Sequence, residues 1–265
     1  MLLSYHVHIP RPDPMVNPST LARQSFYGVR SSPSYFVDGE SSGGGGPADG
    51  AKALFESKIG PMIARHMEEM PEATISLKAT TVGQTVKVKT TVSKITKKSD
   101  KLRLQVALVE DRVSFSGENG MRFHEMVVRS LALAPATADK GKKPEAKPPV
   151  PAEKPAAAPP STDTADTAAA PAKALSPVTG FAIKPDKGGT FECTFDIRKA
   201  VADARAHLED YETNTRKGEY TFRKKMHEID ASKLSVVAFV QDEATKKILQ
   251  AVYVKAGSTG KKTTN

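Results

Sequence analysis

The chain has one cysteine, Cys193, in 265 residues, and no tryptophan. A single thiol excludes intramolecular disulfides, cysteine-ligated metal clusters and any dithiol–disulfide cycle run by this chain on its own. Aromatic residues are 6% and hydrophobic residues 38% of the sequence, so a core has to rest on Val, Ile, Leu and a few Phe. Long hydrophobic runs are missing too. No window stays apolar for the roughly 20 residues that a membrane-spanning helix needs. The first residues, Met1-Leu2-Leu3-Ser4-Tyr5-His6-Val7-His8, lack the charged start and long apolar middle of a signal peptide. The formal charge is +9 with a pI near 9.4. Lysines are nevertheless interleaved with acids, and no arginine-rich helix or aromatic–basic platform occurs, so no nucleic-acid partner is expected. No internal repeat is present.

Prolines and glycines punctuate what is there. Residues 2–9 form a short β-leaning run stopped by Pro10, and the stretch up to Pro18 is too proline-broken for anything but loop. Asn17-Pro18 reads as a helix cap with proline in the first turn, predicting a helix over 19–27 that Gly28 ends. A four-residue strand is expected at 34–37, turned by Asp38-Gly39. A flexible glycine connection follows at 43–46, without the Lys-Ser/Thr of a phosphate loop. Leu54, Ile59, Met62, Ile63 and Met67 recur at helical spacing, predicting a helix over 52–70 that Gly60-Pro61 splits and Pro71 stops.

From Ala73 the period falls to two. Ile75, Leu77, Val86, Val88 and Val92 alternate with polar residues, as in half-buried antiparallel strands. Further strands are expected at 102–113 and 123–133. Residues 134–177 then hold ten of the nineteen prolines, mixed with Ala, Lys and Thr. Such a composition cannot bury enough apolar surface to offset its chain entropy, so a disordered, extended insertion is expected over 135–177. Strand patterning resumes at 181–183 and 190–197. A helix is expected over 198–212, strands at 220–229, 234–241 and 248–254, and a polar tail at 257–265.

No catalytic constellation emerges. Cys193 lies in Thr190-Phe191-Glu192-Cys193-Thr194-Phe195, an alternating strand, and reads as a small buried hydrophobe rather than a nucleophile. His6 and His8 project from one strand face because the side-chain period is two. Asp13 is near, but no third histidine follows at ligand spacing, so two polar residues at a sheet edge are expected. His124 and His227 each precede a glutamate without the second histidine of a metalloprotease helix, and both are expected on the surface. Glu110 and Asp111 end an apolar run. They are expected to pair with Arg112 or Arg129 rather than to act as catalytic acids. No metal or other cofactor is expected.

Two stretches carry a resemblance. Gly28-Val-Arg-Ser-Ser-Pro-Ser-Tyr-Phe-Val-Asp-Gly39 resembles the thioredoxin-fold signature Gly-Val-x-x-x-Pro-Thr-x-x-x-x-Gly. The strand, loop and helix before it, and the helix after it, stand in the order that fold requires. The resemblance implies a cis bond before Pro33 and a substrate-contacting loop at Ser32 and Pro33. Residues 106–129 and 236–251 are similar to the β-sandwich that follows a thioredoxin-like domain in a group of bacterial cell-envelope, outer-membrane-associated proteins. This implies that strands on both sides of the proline-rich tract belong to one domain. The family's strand and helix bearing Cys-x-x-Cys are missing ahead of residue 1.

The expected architecture is therefore α+β. An incomplete thioredoxin-like segment, 1–70, precedes an antiparallel immunoglobulin-like β-sandwich, 72–256, that carries the insertion at 135–177. The expected function is that of a non-catalytic cell-envelope protein, periplasmic or secreted, binding an unidentified protein partner or envelope component. The alternative is the C-terminal part of a thiol–disulfide oxidoreductase whose Cys-x-x-Cys lies upstream of the given start. A third possibility, a basic binder of anionic polymer, predicts binding that falls steeply with salt.

Overall fold

The structure, a computed structural model, describes residues 1–44, 50–117, 120–133 and 180–257. The insertion expected over 135–177, and all but the first residue of the tail, lie outside the described residues. The protein is α+β, with helices and antiparallel sheets. Helix α1 (Pro18–Tyr27) starts at Asn17, whose side chain accepts from the Ser19 and Thr20 amides, and ends at Gly28 in the left-handed conformation, φ 70°. Strands β1 (Ser34–Val37) and β2 (Glu40–Gly44) form a two-stranded sheet of their own. Part of the connection expected at 43–46 is thus strand, because residues 40–44 turn back and pair with β1. The long helix is continuous rather than split. Helix α2 (Ala51–Leu54) passes through a π-helical turn (Phe55–Ile59) into α3 (Gly60–Glu68). The Gly60 amide reaches back to Phe55 O, one residue further than in an α-helix, and this wider turn leads into Pro61, which has no amide to donate.

Two larger sheets follow. One has the order β10 (Gly189–Asp196), β4 (Thr85–Ser93), β3 (Thr74–Val82). The other has the order β12 (Ile248–Lys255), β11 (Leu234–Asp242), β5 (Leu102–Glu110), β8 (Val127–Leu131), with β9 (Phe181–Ala182) also on β5. A small ladder joins β6 (Val113–Ser114) to β7 (Phe123–His124). Helix α4 (Ile197–Asp210) follows β10 directly, its first turn capped by Asp196. Strands β8 and β9, which flank the proline-rich tract, pair with the same strand: Ala107 faces Leu131 and Leu104 faces Phe181.

The parity of β5 and β11 explains the layering. Leu102, Leu104, Val106, Leu108 and Leu234, Val236, Ala238, Val240 point at Val86, Val88, Val92 and Phe195 of the three-stranded sheet. The intervening Ala107, Val109, Val237 and Phe239 point the other way, onto Leu3, Tyr5 and Ile248. Each strand is therefore buried on both faces, which is why both read as nearly unbroken apolar runs. Burying one such Leu or Val side chain is worth about 1.5–3 kcal/mol.

The N-terminal arm and α1 cover the outer face. The Ser4 amide donates to Met126 O (2.9 Å) and Ser4 O accepts from the Val128 amide (3.0 Å). The run expected as a strand at 2–9 thus pairs only at this one bridge. Arg23, only 3% exposed, donates to Gln241 Oε1 (2.8 Å) and Tyr27 Oη (3.0 Å). Its guanidinium lies 4.5 Å from the Phe26 ring centroid. The aromatic faces and neutral oxygens serve a buried cation that has no carboxylate partner among the described residues.

The β1–β2 turn is clamped to the β11–β12 turn. Asp38 O accepts from the Ile248 amide (2.8 Å), and Gly39, at φ 89°, sits so close that a Cβ there would overlap the Lys246 carbonyl. Gly39→Ala is accordingly expected to cost about 2 kcal/mol or more, from the left-handed backbone and the clash together. Gly28→Ala, with nothing within 4 Å of its added Cβ, should cost only about 1 kcal/mol. Thermal melts of the two variants test this, and equal midpoints would sink the clamp. By contrast, the helices from 51 to 68 bury no residue, leaving Phe55, Met67 and Met70 exposed.

Candidate functional site

Ser32 and Pro33 lie in an exposed loop that enters β1, and their peptide bond is cis, as is Ile9–Pro10. Neither residue lines either of the clefts described below. Cys193 sits on β10 opposite Val88 and packs against the main core. Burial pushes its thiol up to about 11, so the thiolate needed for nucleophilic attack is scarce at neutral pH.

Glu110 and Arg129 form a buried pair, 3% and 5% exposed. Of the two arginines considered as partners, Arg129 is the one that pairs with it. Arg129 Nε and Nη2 both lie 2.7 Å from Glu110 Oε2. Arg129 also donates to Met226 O (2.7 Å) and Glu228 O (3.1 Å), and Glu110 Oε1 accepts from the Asp230 amide (3.2 Å). This corrects the strand expected at 220–229. The segment is irregular because its backbone bonds go to Arg129, Glu212 and Pro14 rather than to a neighbouring ladder.

Four of the six histidines gather although they come from positions 6, 8, 124 and 207. His6 Nδ1 lies 2.8 Å from Asp13 Oδ2. His8 Nδ1 accepts from the Asp13 amide (3.1 Å), and His8 Nε2 is 3.2 Å from His207 Nε2. These contacts fix the tautomers. His8 accepts at Nδ1, so its proton is on Nε2 and is donated to His207. Tyr211 stacks on His8 at 3.9 Å. Burial, reinforced by His207, lowers His8 to about 4. Burial also lowers His207 and His124. At Asp13 burial opposes ionisation, but the His6 bond and charge, the Met15 amide and His8 outweigh it and hold the carboxyl low. His124 is thus buried, not on the surface, because β7 tucks its ring beside His6 and bonds it to Phe115 O (3.1 Å). Among the described residues no group of three or more His, Cys, Asp or Glu is arranged to hold a metal.

Two clefts open to the surface. One, about 330 Å³, surrounds His66, which faces Glu40 (3.2 Å), Asp38 (3.6 Å) and Glu69 (3.6 Å). Two of its three carboxylates are already engaged, Glu40 by Arg65 (2.6 Å) and Glu69 by Lys247 (3.0 Å). The other, about 440 Å³, lies between α4 and the irregular segment at 227–229. Arg198, Val201, Ala202 and Arg205 line it from the helix; His227 and Ile229 face them. Glu209 binds Arg205 at 2.8 Å, and Glu228 adds to its negative surroundings. His227 Nε2 faces Glu228 (3.2 Å), while its Nδ1 is buried without a hydrogen-bond partner. Sequence reasoning placed a helix here but missed the cleft. The spacing of Arg198 and Arg205, seven apart and two helical turns along one face, was the available signal.

No protein-family model matches the chain, and no curated protein matches its sequence. Among solved structures, a domain of the outer membrane lipoprotein Omp28 from Porphyromonas gingivalis is similar at 14% identity and a TM-score of 0.29, covering 71% of this chain and 89% of that one. A superposition that loose bears on neither family nor function.

Proposed function

We propose that the chain is a non-catalytic binding and structural module of the bacterial cell envelope, descended from thioredoxin-like proteins. The observation that carries this is the state of its one thiol: Cys193 packs against the core, is raised to about 11, and has no second cysteine in the sequence to resolve a mixed disulfide. In this reading 1–70 is a thioredoxin-like remnant, supported by the succession of α1, the Ser32–Pro33 loop, the β1–β2 hairpin and the α2–α3 helix. Residues 72–256 form the immunoglobulin-like unit, supported by two antiparallel sheets sharing one core and by the resemblance of 106–129 and 236–251. Envelope placement rests on that resemblance. Fractionation of the native source, followed by immunoblotting, tests it: the protein should be recovered with the envelope, and recovery in the cytosolic fraction overturns the proposal.

A further inference from the structure

The cleft beside α4 is chemically lopsided. Arg198 and Arg205 stand seven residues apart, about 10 Å along the helix, with Val201 and Ala202 between them and Ile229 opposite. Two carboxylates act on Arg205, Glu209 by a hydrogen bond and Glu228 through space. Among the described residues, no hydrogen bond or ion pair engages Arg198, and its side chain is at the surface of the same cleft. A volume of about 440 Å³ falls within the roughly 300–1,000 Å³ usual for small-ligand sites. An unpaired guanidinium at one end of an apolar floor calls for an anion that is attached to an apolar body. A guanidinium matches a carboxylate with two parallel N–H···O bonds.

We infer that this cleft binds a carboxylate carried on a short apolar chain, the carboxylate on Arg198 and the chain over Val201, Ala202 and Ile229. The inference rests on reading the chain as a binding module and names the ligand class of that module. The chemistry has two sources, a free aliphatic acid or the C-terminus of a peptide with an apolar last residue. Glu209 and Glu228, gathered around Arg205, set the polarity of the site, since they repel a carboxylate from that end.

The test is a titration of the ¹⁵N-labelled full chain followed by amide shifts, with hexanoate in one arm and a short peptide ending in free leucine in the other. Hexanamide and the C-terminally amidated peptide are the controls. Saturable shifts at Arg198, Val201, Ala202 and Ile229 are expected with the acids and not with the amides. Arg198→Gln should raise the dissociation constant roughly tenfold. Ala202→Glu, which sets a carboxylate four residues from Arg198 where it occupies the guanidinium, should abolish the shifts. Both positions are exposed, so thermal midpoints close to that of the parent protein will show that folding is intact. Tighter binding of hexanoate identifies a free acid; tighter binding of the peptide identifies a chain end. Absence of shifts, equal shifts with the amides, or an unchanged constant in Arg198→Gln overturns the inference. None of these results touches the envelope proposal, which fractionation decides.

Discussion

Arg129→Ala is expected to lower the stability of the protein by about 3–5 kcal/mol, among the largest effects of any single substitution in this chain. The change leaves Glu110 as a buried carboxylate with only the Asp230 amide for a partner, and strips Met226 O and Glu228 O of their donor. Both members of the pair are at most 5% exposed, so water cannot take over at low cost. The segment held at 226–230 is also one wall of the α4 cleft, and the same substitution should loosen it. Urea unfolding followed by circular dichroism measures the loss, and a change below about 1 kcal/mol, the scale of an exposed ion pair, would show that the bridge contributes little. The double variant Glu110→Gln/Arg129→Met separates two causes. Removing both charges should recover a good part of the loss, because an unpaired buried charge is worse than none.

Acid is expected to destabilise the protein well above the range where ordinary carboxylates titrate. The folded state lowers His8 to about 4 from 6.5 and lowers His207 and His124 as well. Below about pH 6.5 the unfolded chain therefore binds protons that the folded chain refuses. The stability that neutral imidazoles contribute is fully present above 6.5 and drains away as pH falls towards 4. For His8 alone this is roughly 3 kcal/mol, at 1.36 kcal/mol per unit of pKa. The held-down carboxyl of Asp13 acts in the same direction at lower pH.

The geometry says why the first proton is disruptive. His8 already carries its proton on Nε2 and donates it to His207 Nε2. A proton on His207 sets two N–H groups against each other and breaks the bond that ties the N-terminal arm to α4. Urea midpoints measured from pH 7.5 to 4.5 should fall with this slope, and His207→Gln should flatten it. Parallel profiles for the two proteins would refute the assignment.

Much of the local structure was legible along the chain. Asn17-Pro18 and Gly28 announce α1 at both ends because capping is decided by neighbours within four residues. The alternation from Ile75 to Val92 announces two strands with one wet face, as β3 and β4 have. The second face of β5 and β11 was not predictable from their apolar runs, since a fully buried strand has lost the alternation that would indicate a direction. Residues 220–229 misled for a related reason: Tyr220, Phe222 and Met226 have strand-like spacing, but the Phe222 amide bonds to the Glu212 side chain, the Met226 amide to Pro14 O and the Met226 carbonyl to Arg129.

The sequence by itself determined that no disulfide can form within the chain, that antiparallel strands and capped helices alternate along it, and that Glu110 would seek an arginine. Composition and periods of 2 and 3.6 report only which way each residue faces within its own element. Tertiary structure alone decided that Arg129, not Arg112, pairs with Glu110, that histidines 6, 8, 124 and 207 share one half-buried cluster, and that β8 and β9 align along one strand. It also decided that Arg198 faces His227 and Ile229 across an open cleft. These are consequences of sheet register and layer packing, where a shift of one residue turns every side chain to the other face, and no local pattern encodes which faces meet.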